Sequence, residues 1–316
     1  MKKMLSFYLS YKDRRRQINK NSEFDIRFYN FWDQDNPDMW LFRFINARKL
    51  LKEKGKSVCF YSTFGRRDII NYTKGDVNIF FTGENLKKSN HSSFADHFLN
   101  ESLIDFAIGF ERFEDPRYIR LPLWIMYMFN PESSEDEIIK RCEELRFPQR
   151  GHHNRFACHV SSEDDSGLRK SICKQLSKIE PVDCAGKVLH NCDDLWKFFG
   201  DDKMKFISEY KFNICPENSN CMGYVTEKLF QAIDAGCIPV YWGSFNDPEP
   251  EVLNHDAIVF WEKDGNNESV LELIKQLNNS PKLFEDFAQQ ARLKDNASDF
   301  VIRKFNDLES HIKNLL

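Results

Sequence analysis

No stretch of the chain approaches the roughly 20 apolar residues that a membrane-spanning helix requires, and no two of its nine cysteines have Cys-x-x-Cys spacing. The first absence excludes a helical membrane span. The second, with an odd cysteine count, leaves neither a zinc ribbon nor a disulfide framework to read, so reduced thiols in a cytosolic protein are expected. Internal repeats and low-complexity tracts are missing. Met1 to Tyr11 offers two lysines and a short apolar run broken by Ser6, Tyr8 and Ser10, too weak for the h-region of a signal peptide. Sequons such as Asn296-Ala297-Ser298 then read as chance matches, and a cytoplasmic location is expected.

What is present is a 316-residue chain that is 41% hydrophobic and 30% charged, which excludes disorder on one side and a membrane-embedded protein on the other. The length suggests two domains of about 150 residues each. The net charge of −4 conceals a split: residues 1–150 carry 26 Lys/Arg against 22 Asp/Glu, and residues 151–316 carry 19 against 27. Neither half is basic enough for a nucleic-acid reader. The one dense basic run, Lys12 to Arg16, reads as a solvated surface segment, with peripheral contact to anionic lipid headgroups as the alternative. Phe is abundant, 29 of 316, and aromatic density leaves room for a sugar or nucleotide site without requiring one.

Short apolar runs alternate with longer amphipathic stretches, the rhythm of parallel sheets flanked by helices. Candidate strands are Asp25 to Trp32, Ser57 to Tyr61, Val77 to Phe81 and Phe106 to Gly109, with a helix-like pattern over Met39 to Lys52. A second set is Phe156 to Ser161, Phe212 to Cys215, Ile238 to Trp242 and Ala257 to Phe260. Between the sets lies the polar segment Asn130 to Gly151, which places a boundary near residue 150, with domains 1–150 and 151–316. Val301, Phe305, Leu308, Ile312 and Leu315 form one stripe of a closing helix.

The most informative local pattern runs from Tyr210 to Ser244. Phe212 to Cys215 reads as a strand, Pro216 to Ser219 as a loop, Glu227 to Ile233 as a helix, and Ile238 to Val240 as the next strand. Thr226 or the preceding turn can cap the helix, and Gly236 can stop it. Glu227 and Lys228 then stand in a first helical turn at the carboxyl end of a parallel strand, where open α/β sheets bind ligands and free amides favour anions such as a diphosphate. From pattern alone, Glu227 serves equally well as a counter-charge to the helix dipole.

The string YKFNICPENSNCMGYVTEKLFQAIDAGCIPVYWGS closely resembles the donor-binding signature of the α-1,3-fucosyltransferases of glycosyltransferase family 10. Phe80 to Asn85, Asp105 to Phe110, Arg117 to Leu123, then Arg169 with Ser177 to Asp183 and Gly186 match further blocks of that family in order, so the likeness spans about residues 77 to 245. It implies the GT-B fold, two Rossmann-like α/β domains facing across a cleft, the first binding acceptor and the second GDP-fucose. The chain ends without the heptad repeats and basic tail that some relatives carry.

The implied activity is transfer of L-fucose from GDP-fucose to a hydroxyl of an N-acetylglucosamine-containing acceptor with inversion, which needs a base opposite the leaving GDP. The resemblance places that base on Glu84, just after the strand Val77 to Phe81. It places Arg169 and Lys228 on the phosphates and Asn218 and Tyr224 on the donor, and gives Glu227 either the ribose hydroxyls or the oxocarbenium-like fucosyl centre. Pro216 departs from the aromatic or small residue common in relatives. No cofactor is implied, a divalent cation (Mn or Mg) being at most stimulatory. Asp33-Gln34-Asp35, an Asp-x-Asp at a strand end, is the rival metal-binding feature, although paired aspartates are also common in turns. In the aromatic group Phe28, Tyr29, Phe31, Trp32 and Trp40, mostly core, Trp32 is the candidate for stacking on acceptor sugar. The alternatives are an inverting transferase using another nucleotide sugar or an α-1,4 linkage, and an inactive carbohydrate-binding protein.

Overall fold

The computed structural model describes residues 25–31, 39–50, 56–88, 90–99, 102–149, 151 and 153–316. The chain divides into two compact units, Met1–Ser134 with Ile302–Leu316, and Glu135–Val301.

The first unit holds a parallel sheet in the order β1 (Asp25–Tyr29), β2 (Ser57–Tyr61), β3 (Val77–Phe81), β4 (Phe106–Gly109), β5 (Tyr118–Arg120), each strand pairing its sequence neighbour. The runs β2 to β4 are buried on both faces, as strands covered on two sides require, and the expected bounds of those three match the observed ones. β1 ends at Tyr29, and the helix expected over Met39 to Lys52 is shorter, α1 (Trp40–Ala47). The phenylalanines fill this core. Phe28 stacks on Phe60 at 4.9 Å and Tyr29 on Tyr61 at 5.4 Å, while Phe31 is 2% exposed. α2 (Leu123–Met128) follows β5.

The second unit begins earlier than the polar composition of Asn130 to Gly151 suggests. That segment is not a linker but contains α3 (Glu135–Arg146), which buries Ile138, Cys142 and Leu145. Its Arg141 bonds Asp234 at 2.7 Å, so the division falls at 134/135 rather than near 150, and residues 302–316 belong with the first unit.

In chain order the second unit contains β6 (Arg155–His159), α4 (Leu168–Leu176), β7 (Val182–Cys184), α5 (Lys203–Ile207), β8 (Tyr210–Ile214), α6 (Glu227–Asp234), β9 (Ile238–Tyr241), β10 (Val259–Phe260), α7 (Glu268–Asn279) and α8 (Pro281–Ala288). Its all-parallel sheet has the order β10-β9-β8-β6-β7. Phe156, Phe212, Ile238 and Val240 pack with Leu168, Ile172 and Leu176 of α4 and Ile274 and Leu277 of α7.

The closing helix α9 (Ala297–Leu315) buries Val301, Phe305, Leu308 and Ile312, with Leu315 half-buried. Phe305 meets Trp40 edge-to-face at 5.5 Å. All nine cysteines are buried and none is in a disulfide. Among the described residues no helix is long and apolar enough to cross a membrane.

Candidate active site

The second sheet reverses its direction of growth at β6. From β6 the chain steps outward to β7, then returns to pair β8 on the other side of β6. Loops leaving the carboxyl ends of β6 and β8 diverge, and such a switch point leaves a crevice suited to ligands. A recess with a cavity volume of about 230 Å³ lies there, and its lining includes Ser161 after β6, Pro216 and Asn218 after β8, Arg169 of α4, Lys203 of α5, and Glu227 and Lys228 of α6.

Arg169 is only 6% exposed. Its guanidinium donates to the Glu163 carbonyl, to the Pro216 carbonyl at 3.2 Å and to the Asn218 side-chain oxygen at 2.6 Å. Dipoles thus hold the cation in place, and no carboxylate among the described residues comes within ion-pair distance of it. Lys228 is held differently. Its Nζ lies 3.4 Å from Glu227, 3.5 Å from Glu217 and 2.8 Å from the Thr226 hydroxyl. Burial pushes the Lys228 ammonium down, but the two carboxylates outweigh it and hold it above its ordinary value. Burial pushes Glu227 up, and Lys228 with Lys203 and a backbone amide brings it below the usual carboxylate range.

Glu217, whose side chain is wholly buried, organises this loop. Its carboxylate accepts from the Thr226 amide at 2.8 Å and from the Thr226 hydroxyl at 2.7 Å. Thr226 does occupy the cap position of α6, but its side chain caps no helix amide; the hydroxyl is committed to Glu217 instead. Burial pushes the Glu217 carboxyl up against the opposing pull of Lys228 and Thr226. The approach is tight enough to demand glycine opposite it: a Cβ on Gly243, whose φ is +152°, would lie 2.7 Å from both Glu217 Cγ and the Tyr241 hydroxyl.

The β6 side of the recess rests on a buried imidazole. His159 Nδ1 lies 2.8 Å from the Ile214 carbonyl, and Nε2 lies 2.7 Å from Ser161 Oγ. Burial pushes His159 down to about 4, so the ring is neutral near pH 7. Facing a carbonyl, Nδ1 must carry the hydrogen, and Nε2 then accepts from the Ser161 hydroxyl. Gly186 backs this turn, since a Cβ there would sit 2.2 Å from the Ser161 carbonyl oxygen.

Of the residues expected from sequence, Arg169, Asn218, Glu227 and Lys228 are brought together in this recess. Tyr224 is not among its lining: it is 1% exposed, packed inside the unit near Tyr241. Glu84 belongs to the first unit, half-exposed at the carboxyl end of the central strand β3, where the Thr82 hydroxyl accepts from its amide at 3.0 Å. Trp32, Asp33-Gln34-Asp35 and Lys12 to Arg16 lie outside the described residues. Sequence reasoning missed Glu217, Lys203 and the His159–Ser161 pair. A buried Glu before a Thr-Glu-Lys turn leaves no periodic trace, and its value emerges only when the loop folds back.

Two family models match the chain: the α-(1,3)-fucosyltransferase FucT N-terminal domain over residues 26–127, and the glycosyltransferase family 10 (fucosyltransferase) C-terminal region over residues 150–304. The chain belongs to glycosyltransferase family 10. Within the family it is 29% identical over 208 residues to α-(1,3)-fucosyltransferase FucT of Helicobacter pylori, a match covering 56% of this chain and 39% of that protein. It is 30% identical over 185 residues to α-(1,3)-fucosyltransferase B of Drosophila melanogaster, covering 55% and 41% respectively. The matched region thus spans about two fifths of each of these curated relatives. A crystal structure of an α1,3-fucosyltransferase with GDP-fucose superposes with a TM-score of 0.55 at 22% identity, over 90% of each chain. This family 10 chain therefore has the GT-B type of fold, built from two Rossmann-like α/β domains.

Proposed function

We propose that the protein transfers L-fucose from GDP-fucose to a hydroxyl of an N-acetylglucosamine-containing, N-acetyllactosamine-type glycan, forming an α-1,3 linkage with inversion. The observation that carries this reading is the set of fixed charges at the switch point of the second sheet. Arg169 and Lys228 are held in place as cations before any ligand arrives, and preorganised cations stabilise the charge that grows on a departing diphosphate. Glu227, ionised beside Lys228, can only accept hydrogen bonds, which suits hydroxyl groups such as those of ribose. Membership of family 10 and the likeness to a structure with GDP-fucose support the choice of nucleotide.

The chemistry is one in-line displacement. The acceptor oxygen forms a bond to the fucose anomeric carbon as the bond from that carbon to the β-phosphate oxygen breaks, the electron pair leaving with GDP. Glu84 takes the acceptor hydroxyl's proton, having reached its position through the turn that Thr82 pins after β3. With cations of the chain itself on the diphosphate, no metal is required and a divalent cation only stimulates. The buried, reduced cysteines suit a reducing compartment such as the cytoplasm.

Acceptor-dependent release of GDP from GDP-fucose, measured with N-acetyllactosamine, tests the reading. The wild-type protein releases GDP, and Glu84→Ala lowers turnover by about 10² to 10⁴ while GDP-fucose still binds. Unchanged turnover in Glu84→Ala would remove the base assignment, and release with a different nucleotide sugar but not with GDP-fucose would remove the donor assignment.

A further inference from the structure

Lys203 is a third cation lining the recess, and neither the family resemblance nor the surrounding loop accounts for it. It opens the short helix α5 just before β8, and its Nζ donates to the Gln231 side-chain oxygen of α6 at 2.7 Å. Among the described residues that amide is its only hydrogen-bond partner, and no carboxylate lies within 4.0 Å of it. Glu227 acts on it only through space, while Lys228 adds repulsion. Lys228, its neighbour in the recess, has two carboxylates within ion-pair distance.

A largely buried ammonium bonded only to a neutral amide is costly in the unliganded protein, because the through-space attraction of Glu227, partly offset by Lys228, does not repay its desolvation. Burial accordingly lowers its proton affinity. A feature that weakens the empty fold, placed on the wall of a polar recess, is what a site awaiting an anion looks like. Gln231 lies four residues beyond Glu227, one turn along the same helix, so the tether fixes Lys203 relative to the first turn of α6.

We propose that Lys203 is a donor-binding residue that contacts the diphosphate of the nucleotide sugar, completing a three-cation set with Arg169 and Lys228. The inference rests on the functional reading above, and it makes a demand that a purely structural lysine would not meet. Lys203 contributes through the phosphates, so its loss reduces discrimination between GDP and GMP. It is unpaired in the empty recess, so its loss also raises the stability of the unliganded protein.

The test is calorimetric binding of GDP and GMP to wild type, Lys203→Met, Lys203→Arg and Gln231→Leu, with thermal denaturation of each unliganded protein. The expected result is GDP affinity about 10- to 100-fold weaker in Lys203→Met, with a smaller GDP-over-GMP preference and an unliganded Tm equal to or above wild type. Lys203→Arg restores most of the affinity, and Gln231→Leu retains it within a few-fold. Wild-type GDP affinity in Lys203→Met would overturn the inference and leave the functional reading standing. A Lys203→Met variant with a lowered unliganded Tm, or a Gln231→Leu variant that loses affinity as fully as Lys203→Met, would show a structural lysine and also overturn it. Failure of the wild-type protein to bind GDP would overturn the functional reading, and this inference with it.

Discussion

At the scale of single residues, the recess shows how burial and pairing divide the labour among like groups. Lys228 is charged and locked by Glu217 and Glu227, whereas Arg169 is held by carbonyl and amide oxygens and keeps its positive charge uncompensated. Truncating Lys228 therefore does two things. Lys228→Ala weakens GDP-fucose binding by about tenfold or more, and it leaves Glu217 buried without its cation, at a stability cost of about 1–3 kcal/mol. Equilibrium binding and urea denaturation of one variant measure both, and unchanged donor affinity would refute the assignment. His159 makes the acid limb of stability predictable. Its folded value near 4 lies below the ordinary 6.5, so between these pH values the unfolded chain takes up a proton that the folded one refuses. Its contribution of about 3 kcal/mol is complete above pH 6.5 and is lost as pH falls toward 4. In His159→Asn, denaturation midpoints across pH 4 to 7 should lose this component of the slope, and an unchanged slope would contradict the account. None of this was legible in the sequence: His159 sits in an apolar strand pattern, and its partners Ile214 and Ser161 come from a different strand and the following loop. By contrast Arg169, Asn218, Glu227 and Lys228 were legible because motif order fixes their positions.

At the scale of elements, the legible strands were those whose burial on both faces writes a continuous apolar run. Val77–Phe81 and Ser57–Tyr61 were readable for that reason. Tyr118–Arg120 and Val182–Cys184 were not, because three residues carry no period and each strand includes a charged residue. The helix Glu135–Arg146 did carry a signal, Ile138, Cys142 and Leu145 at helical spacing, but eight charged neighbours masked it as a linker. The loops, not the strands, position the chemistry. Two glycines set how closely they approach: Gly243 against Glu217, and Gly186 against the Ser161 backbone. Gly243→Ala should cost about 2 kcal/mol or more, since the added methyl has two close contacts and the backbone is unfavourable for an L-residue. Loss of donor binding should accompany the fall in stability, because Glu217 carries the turn that presents Lys228. A Gly243→Ala protein with wild-type melting and wild-type GDP affinity would show that the approach is not tight.

At the scale of the whole molecule, the excess of phenylalanine is spent largely on two sheet cores, and the halves of the sequence are not quite the halves of the structure. The closing helix begins in the second unit and ends packed on Trp40 of the first, a return that composition does not announce. The charge split carries a lesson as well. The acidic half of the sequence holds the recess proposed for an anionic donor, because screening makes three nearby cations count for more than distant surface carboxylates. The central claim, fucosyl transfer from GDP-fucose, is tested most directly by nuclear magnetic resonance of the product formed from GDP-fucose and N-acetyllactosamine. The account predicts a new α-linked fucose on O3 of the N-acetylglucosamine unit, with the anomeric configuration of the donor inverted. An acceptor recovered unmodified, or fucose joined with the donor's configuration retained, would contradict it.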